Sequence, residues 1–213
     1  LGAAPAGFTA VETIDAQGLV AAPGLVDLNV ALREPGYSRK GSIASETRAA
    51  AAGGVTSLCC PPHTKPILDT SAVTELILDR AREAGNCKVF PIGALSKGLE
   101  GEQLAELIAL RDAGCVAFGN DLESFRSTRT LCRALEYAAT FDLTVIFHSQ
   151  DRDLAEGGLA HEGAVASFLG LPGIPETAET VALARDLLLV EQSGVRAHFS
   201  QLTSARGVAL IAQ

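Results

Sequence analysis

The sequence contains no methionine, no tryptophan and only four histidines. A chain that begins at Leu1 and has no methionine anywhere is expected to be part of a longer protein, extended at both ends. No secretory signal is visible. Basic residues are in the minority, with 17 Lys and Arg against 25 Asp and Glu, a net charge of −8 and a pI near 5.0. With no basic stripe, a nucleic-acid or anionic-membrane surface is not expected. Apolar runs fall well short of the roughly 18 residues a membrane span needs. The five cysteines show no CxxC pair and no framework spacing. Cys59, Cys87, Cys115 and Cys132 lie in or beside apolar segments, as expected of buried reduced thiols in a cytoplasmic protein. There is no GxGxxG after the first apolar run and no GxSxG elbow.

What is present is a large apolar fraction, 47% of 213 residues, enough to bury a substantial core in one or two domains. Charged residues make up 20%, which excludes a disordered tail. After residue 24 short apolar runs alternate with amphipathic stretches. Strands are expected at 25–30, 55–60, 88–94, 116–118, 143–148 and 195–200. Helices are expected at 43–52, from an N-cap at Ser71, at 103–113, 127–141, 161–169 and 176–192, with a last one opened by Ser204 and still running at Gln213. Strands apolar on both faces that alternate with helices imply a parallel sheet. Six such units fit a (β/α)8 TIM barrel, incomplete here, better than an open sheet. Residues 1–24 read differently. Val11–Ile14 and Leu19–Ala21, around a turn at Asp15–Gly18, suggest a hairpin belonging to a small β-sandwich module outside the barrel domain of 25–213.

In a barrel of this kind the chemistry sits where strands end. Those ends present Asn29, Ala31 and Arg33, then His63 and Lys65, then Asn120 and Asp121, then His148, and finally His198 and Gln201. Ala22 to Gly36 resembles the dihydroorotase signature of the cyclic amidohydrolases, written APGxxDxHxHxREPG in that family. Other segments agree in order. Ala49–Val55 is similar to AAAAGGxT, Cys60–Asp69 to CMPNTxPxxD, and Phe118–Asp121 to AFxDD. His148–Asp151 is similar to HCED, and His198–Ala205 to HxxHxSTA.

The resemblance implies a barrel of the metal-dependent hydrolase type, whose mouth holds a pair of divalent metals, usually zinc. Two histidines at i and i+2 on a strand point the same way and grip one metal. The metals lower the pKa of a bridging water and polarise the ring amide. This sequence departs from that pattern at the ligands. The two first-strand histidine positions are Asn29 and Ala31, and the second histidine of the sixth-strand motif is Gln201. Only His148 stands where the family has a histidine ligand; either Asn120 or Asp121 matches the carboxylate. A catalytic zinc needs about three protein ligands. Without metal, the water returns from a pKa near 7 toward roughly 15.7. At about 1.36 kcal/mol per unit, on the order of 12 kcal/mol of nucleophile activation is lost.

Arg33 matches the family's substrate-carboxylate arginine, whose planar fork suits a carboxylate. A salt bridge to Glu34 or a loop-positioning role is the plainer reading, because His63 replaces the asparagine that shares substrate binding. His148 reads first as a hydrogen-bonded structural residue and second as a residual ligand. His63 and His161 are expected on surfaces, and His198 within a strand. Arg33 and His63 are thus vestigial substrate contacts, and no zinc or other cofactor is expected. The resemblance is strongest to inactive, non-catalytic members of the family. It implies a structural or assembly subunit in a hetero-oligomer with the aspartate carbamoyltransferase catalytic chain, in pyrimidine biosynthesis. The rivals are an active amidohydrolase with a reduced zinc site and a carboxylate sensor without turnover.

Overall fold

The computed structural model describes residues 4–213. The barrel wall is a six-stranded parallel sheet made of β1 (Leu25–Asp27), β2 (Val55–Cys60), β3 (Lys88–Ala94), β4 (Ala117–Gly119), β5 (Thr144–Phe147) and β8 (Arg196–Phe199), in that spatial order. Each strand pairs in parallel with its neighbours, so β1 and β8 form the two unpaired edges. The crossovers are helices: α1 (Ile43–Ala52), α2 (Ser71–Ala84), α3 (Leu107–Ala113), α4 (Thr128–Thr140) and α7 (Glu176–Ser193), with α8 (Ala205–Ile211) after β8. Between β5 and α7 the chain makes an excursion containing α5 (Arg152–Ala155), a ribbon of β6 (Ala160–His161) with β7 (Gly173–Ile174), and α6 (Ala164–Phe168).

The helices cover the outer face of the sheet. Leu58, Ile77, Leu107, Leu110, Phe118, Leu135 and Val145 are fully buried between them, and burying one such side chain is worth about 1.5–3 kcal/mol. The local signals are chemical. Ser42 opens α1 with a reciprocal cap, its Oγ accepting from Ser45 N while Ser45 Oγ accepts from Ser42 N. Glu34 adds a carboxylate that accepts from Ile43 N at 3.0 Å, at the positive end of the helix dipole. Gly85 and Gly194 end α2 and α7 in the left-handed conformation that a side chain would strain.

The expected order of strands and helices holds, with local corrections. Residues 103–106 are not helical. Gln103 O accepts from Lys97 N, and Ala105 N donates to Leu95 O, so the loop after β3 holds this backbone and α3 starts only at Leu107. The expected helix at 161–169 is shorter, Ala164–Phe168: His161 lies in β6, and Gly163 delays the start to Ala164. The cap of α2 is Thr70, not Ser71, and α8 stops at Ile211. β4 lies one residue later than expected. The expected hairpin at 11–21 does not form. Residues 4–24 carry no strand, and Val11, Ile14 and Val20 are exposed. Only its turn is present, closed by Leu19 N donating to Ala16 O. A lone two-stranded ribbon buries too little to hold itself. Among the described residues no helix is long and apolar enough to cross a membrane.

One partly buried junction ties α7 to α8. The Glu179 carboxylate accepts from the backbone N–H and hydroxyl of both Thr203 and Ser204, while Ser204 Oγ itself caps α8 by accepting from Gly207 N. Burial disfavours the charged carboxylate, but the hydrogen bonds from Ser204 and Thr203 outweigh it and hold its pKa below the ordinary glutamate value. The linked stability is therefore present above that ordinary value and is lost as pH falls through the depressed one. Glu179→Ala is expected to cost about 1.5–3 kcal/mol at neutral pH, and less in acid. Thermal melts of the two proteins across pH 3–7 check this; an unchanged melting temperature at pH 7 refutes it.

Candidate functional site

The strand ends meet in a cavity whose polar side is Asn29, Asp121, His148, His198 and Gln201, and whose apolar side includes Pro61, Pro62, Ile92 and Ile146. Parallel register puts these residues on one rim, since each lies within two residues of the end of its strand. Beside it, Ala31, Arg33, Glu34, Tyr37, Lys40 and His63 line a second pocket. The two are joined by a polar contact, His63 Nδ1 to Asp121 Oδ2 at 3.8 Å. The Tyr37 ring lies 6.3 Å from the His63 ring, and Lys40 Nζ sits 5.9 Å from the Tyr37 ring centre.

Burial separates the two candidates at the fourth strand. Asn120 is 7% exposed and hydrogen-bonded into the loop after β3. Its Oδ1 accepts from Ser96 N and Ser96 Oγ, and its Nδ2 donates to Leu99 O. Asp121 is the residue that lines the cavity. Burial pushes its carboxyl above the usual range, against the opposing pull of His63 and His148.

The other expected site residues separate. Ala31 does not line the cavity of Asn29; it lies in the pocket of Arg33. Glu34 is not the ion-pair partner of Arg33, because its carboxylate accepts from Ile43 N at the start of α1. The Nδ1 of His148 is buried and has no hydrogen-bond partner, so the hydrogen-bonded role expected of this residue is not met at that atom. Arg33, Asp121 and Gln201 all have positive φ, at 64°, 53° and 57°. Such backbone costs on the order of 1–2 kcal/mol per side-chain-bearing residue and collects at binding sites.

His198, named among the strand ends, lines the cavity from within β8. One feature escaped the sequence reading. Asp186 is 2% exposed on α7 behind the rim. It accepts from Ser149 Oγ at 2.8 Å and from Arg185 Nε at 2.9 Å, next to His148 in sequence. Burial raises its pKa, while Arg185 and Ser149 oppose the rise. An adjacent Arg-Asp pair inside the apolar stretch 182–190 was the available clue.

The donor set does not fit a dinuclear zinc centre. At the cavity it amounts to Asp121, the imidazoles of His148 and His198, and the amides of Asn29 and Gln201. Among the described residues no three His, Cys, Asp or Glu side chains come together as a metal cluster. Cys60 and Cys115 offer no nucleophile in its place. Burial pushes Cys60 up to about 12 and Cys115 to about 11, and all five cysteines are unpaired.

A parallel barrel wall whose strand ends gather histidine, carboxylate and amide side chains defines the class as a TIM barrel of the amidohydrolase type. More narrowly, the chain belongs to the dihydro-orotase-like family, whose model matches residues 18–206. It is 82% identical over all 213 residues to a dihydroorotase-like protein of Pseudomonas putida, of which it covers 50%. It is 79% identical to a dihydroorotase-like protein of Pseudomonas aeruginosa, again covering 50%. A dihydroorotase of Syntrophobacter fumaroxidans is 50% identical over 200 residues, 94% of this chain and 46% of that one. The chain thus spans about half the length of the curated relatives it matches. Among solved structures, the L-hydantoinase of Arthrobacter aurescens shares the fold with a TM-score of 0.75 at 22% identity, covering 96% of this chain and 47% of that one.

Asn120→Asp replaces an amide donor with a carboxylate facing Leu99 O. The substitution is expected to lower stability by about 1–3 kcal/mol at pH 7. A buried carboxyl with a raised pKa regains stability only where it is protonated, so the melting temperature should recover toward wild type below about pH 4. Equal melting curves at pH 7 would show that the amide is not needed.

Proposed function

We propose that this chain is part of a catalytically inactive dihydroorotase-family protein that acts as a non-catalytic subunit. In this reading it supports assembly of the aspartate carbamoyltransferase catalytic chain in a cytoplasmic hetero-oligomer of pyrimidine biosynthesis. One observation carries the reading: amide and methyl side chains at Asn29, Gln201 and Ala31 stand at the positions where the family motif has imidazoles. Asparagine and glutamine side chains do not lower the pKa of a nearby water, and no group in the mouth does so in their stead. Arg33 and His63 then remain as anion contacts without a reaction to serve. The high identity to two proteins named dihydroorotase-like is compatible with this reading.

A second reading has a specific observation in its favour. The unpartnered His148 Nδ1, with Asp121 on the same cavity, suits a single residual metal completed by parts of the longer protein. The two readings separate on the full-length protein. The first expects substoichiometric zinc by elemental analysis, no dihydroorotate hydrolysis above background, and co-elution with the aspartate carbamoyltransferase catalytic chain. Stoichiometric zinc that is lost in His148→Ala, together with hydrolysis, establishes the second reading and overturns the first.

A further inference from the structure

His148 borders two cavities. One is the mouth, and the other lies behind β5, where His148, Asn120, Arg185 and Asp186 are among the lining residues. An imidazole with space on two sides has to be aimed, and its own Nδ1 makes no hydrogen bond that would do so. The three residues that follow it are all fastened instead. Ser149 Oγ donates to Asp186 Oδ2 at 2.8 Å. Gln150 O accepts from Ser124 Oγ at 2.7 Å, and Asp151 N donates to Ala178 O at 2.7 Å. Asp186 and Ala178 both stand on α7.

The strand geometry says what the first of these bonds does. Side chains along β5 alternate. Val145 and Phe147 join the core under the helices, while Ile146 and His148 line the mouth. Ser149 continues the outward set and is 6% exposed. A bond that holds Ser149 outward on α7 therefore turns His148 inward. β5 is paired with β4 on one side and β8 on the other, so neither open edge of the sheet takes part.

Asp186 is costly where it stands. It is 2% exposed, and its Oδ1 accepts from Arg185 Nε at 2.9 Å. A buried ion pair adds little net stability, because loss of hydration offsets the attraction, and apolar side chains of similar size often do as well. The same helix already buries Ala178, Ala182 and Leu183. Holding α7 to the sheet does not call for a carboxylate at this position, whereas holding the Ser149 hydroxyl calls for an acceptor.

We infer that Asp186 is a positioning residue: through Ser149 it aims the His148 imidazole into the mouth and keeps it out of the cavity behind β5. The inference goes beyond both readings of function given above and depends on neither, since it concerns where the ring stands and not what the ring binds.

Crystal structures of the full-length protein and its variants, with melting temperatures measured in parallel, test it. Wild type should show His148 in one orientation at the mouth. Ser149→Ala should lose that single orientation, with the ring split between two positions or turned behind β5. Asp186→Leu combined with Ser149→Ala replaces both partners by apolar groups and leaves Arg185, already 29% exposed, free to reach water. This double variant should melt at or near the wild-type temperature and still show the misplaced ring. Asp186→Asn keeps an acceptor for Ser149 and should keep the ring in place. An unmoved ring in Ser149→Ala overturns the inference, and this variant removes only one hydroxyl, so it gives the answer even if the double variant does not fold. A ring that moves in Asp186→Asn as far as in Ser149→Ala assigns the effect to the ion pair with Arg185 and also overturns it. So does a wild-type ring whose Nδ1 is hydrogen-bonded to Asp121, because that ring aims itself.

Discussion

The hydrogen-bonded ladder between parallel strands places every side chain at the mouth. Val145 pairs with Phe118 on one side and Ala197 on the other, and this register carries through all six strands. Because the strands run the same way, their last residues collect on one rim. Asn29, Asp121, His148 and Gln201 are up to 172 residues apart in sequence, and they share one cavity for this reason alone. A one-residue slip would turn each outward-facing core residue into the barrel and each rim residue into the helical layer. The core packing of Phe118 and Leu58 against the outer helices therefore also fixes the site.

Once the rim is fixed, its chemistry follows from the side chains standing on it. Imidazoles and carboxylates hold divalent cations, whereas side-chain amides hold them weakly and mainly form hydrogen bonds. At this rim the two kinds are mixed. Asn120 shows what the amide does when buried: it ties Ser96 and Leu99 into one loop, a role that needs a donor and an acceptor on the same side chain. Asp121 shows what a carboxylate does when left in the mouth. It is partly buried beside two histidines and makes one polar contact, to a half-exposed ring. A buried imidazole nitrogen with no partner, next to a carboxylate with a raised pKa, is a polar cluster that is incompletely satisfied.

The outer surface has the opposite character. The excursion that leaves the rim after His148 is well hydrogen-bonded along its backbone but exposes apolar side chains. The mouth therefore carries polar groups short of partners, and the excursion carries apolar groups short of cover.

The sequence by itself determined the strand-and-helix order, because apolar periodicity and the caps at Ser42, Ser127 and Ser204 are local properties of the chain. It also determined which residue types stand at the rim, since Asn29, His148 and Gln201 are simply read off after each strand. It misplaced the starts of α3 and of the helix at 161–169, where backbone hydrogen bonds within the surrounding loop override local propensity. Only the tertiary structure decided that Asp121 rather than Asn120 enters the mouth, that His63 reaches Asp121, and that Phe168 points to water. Each of those outcomes depends on which surface a neighbouring element already covers, and residues far apart in the chain supply that cover.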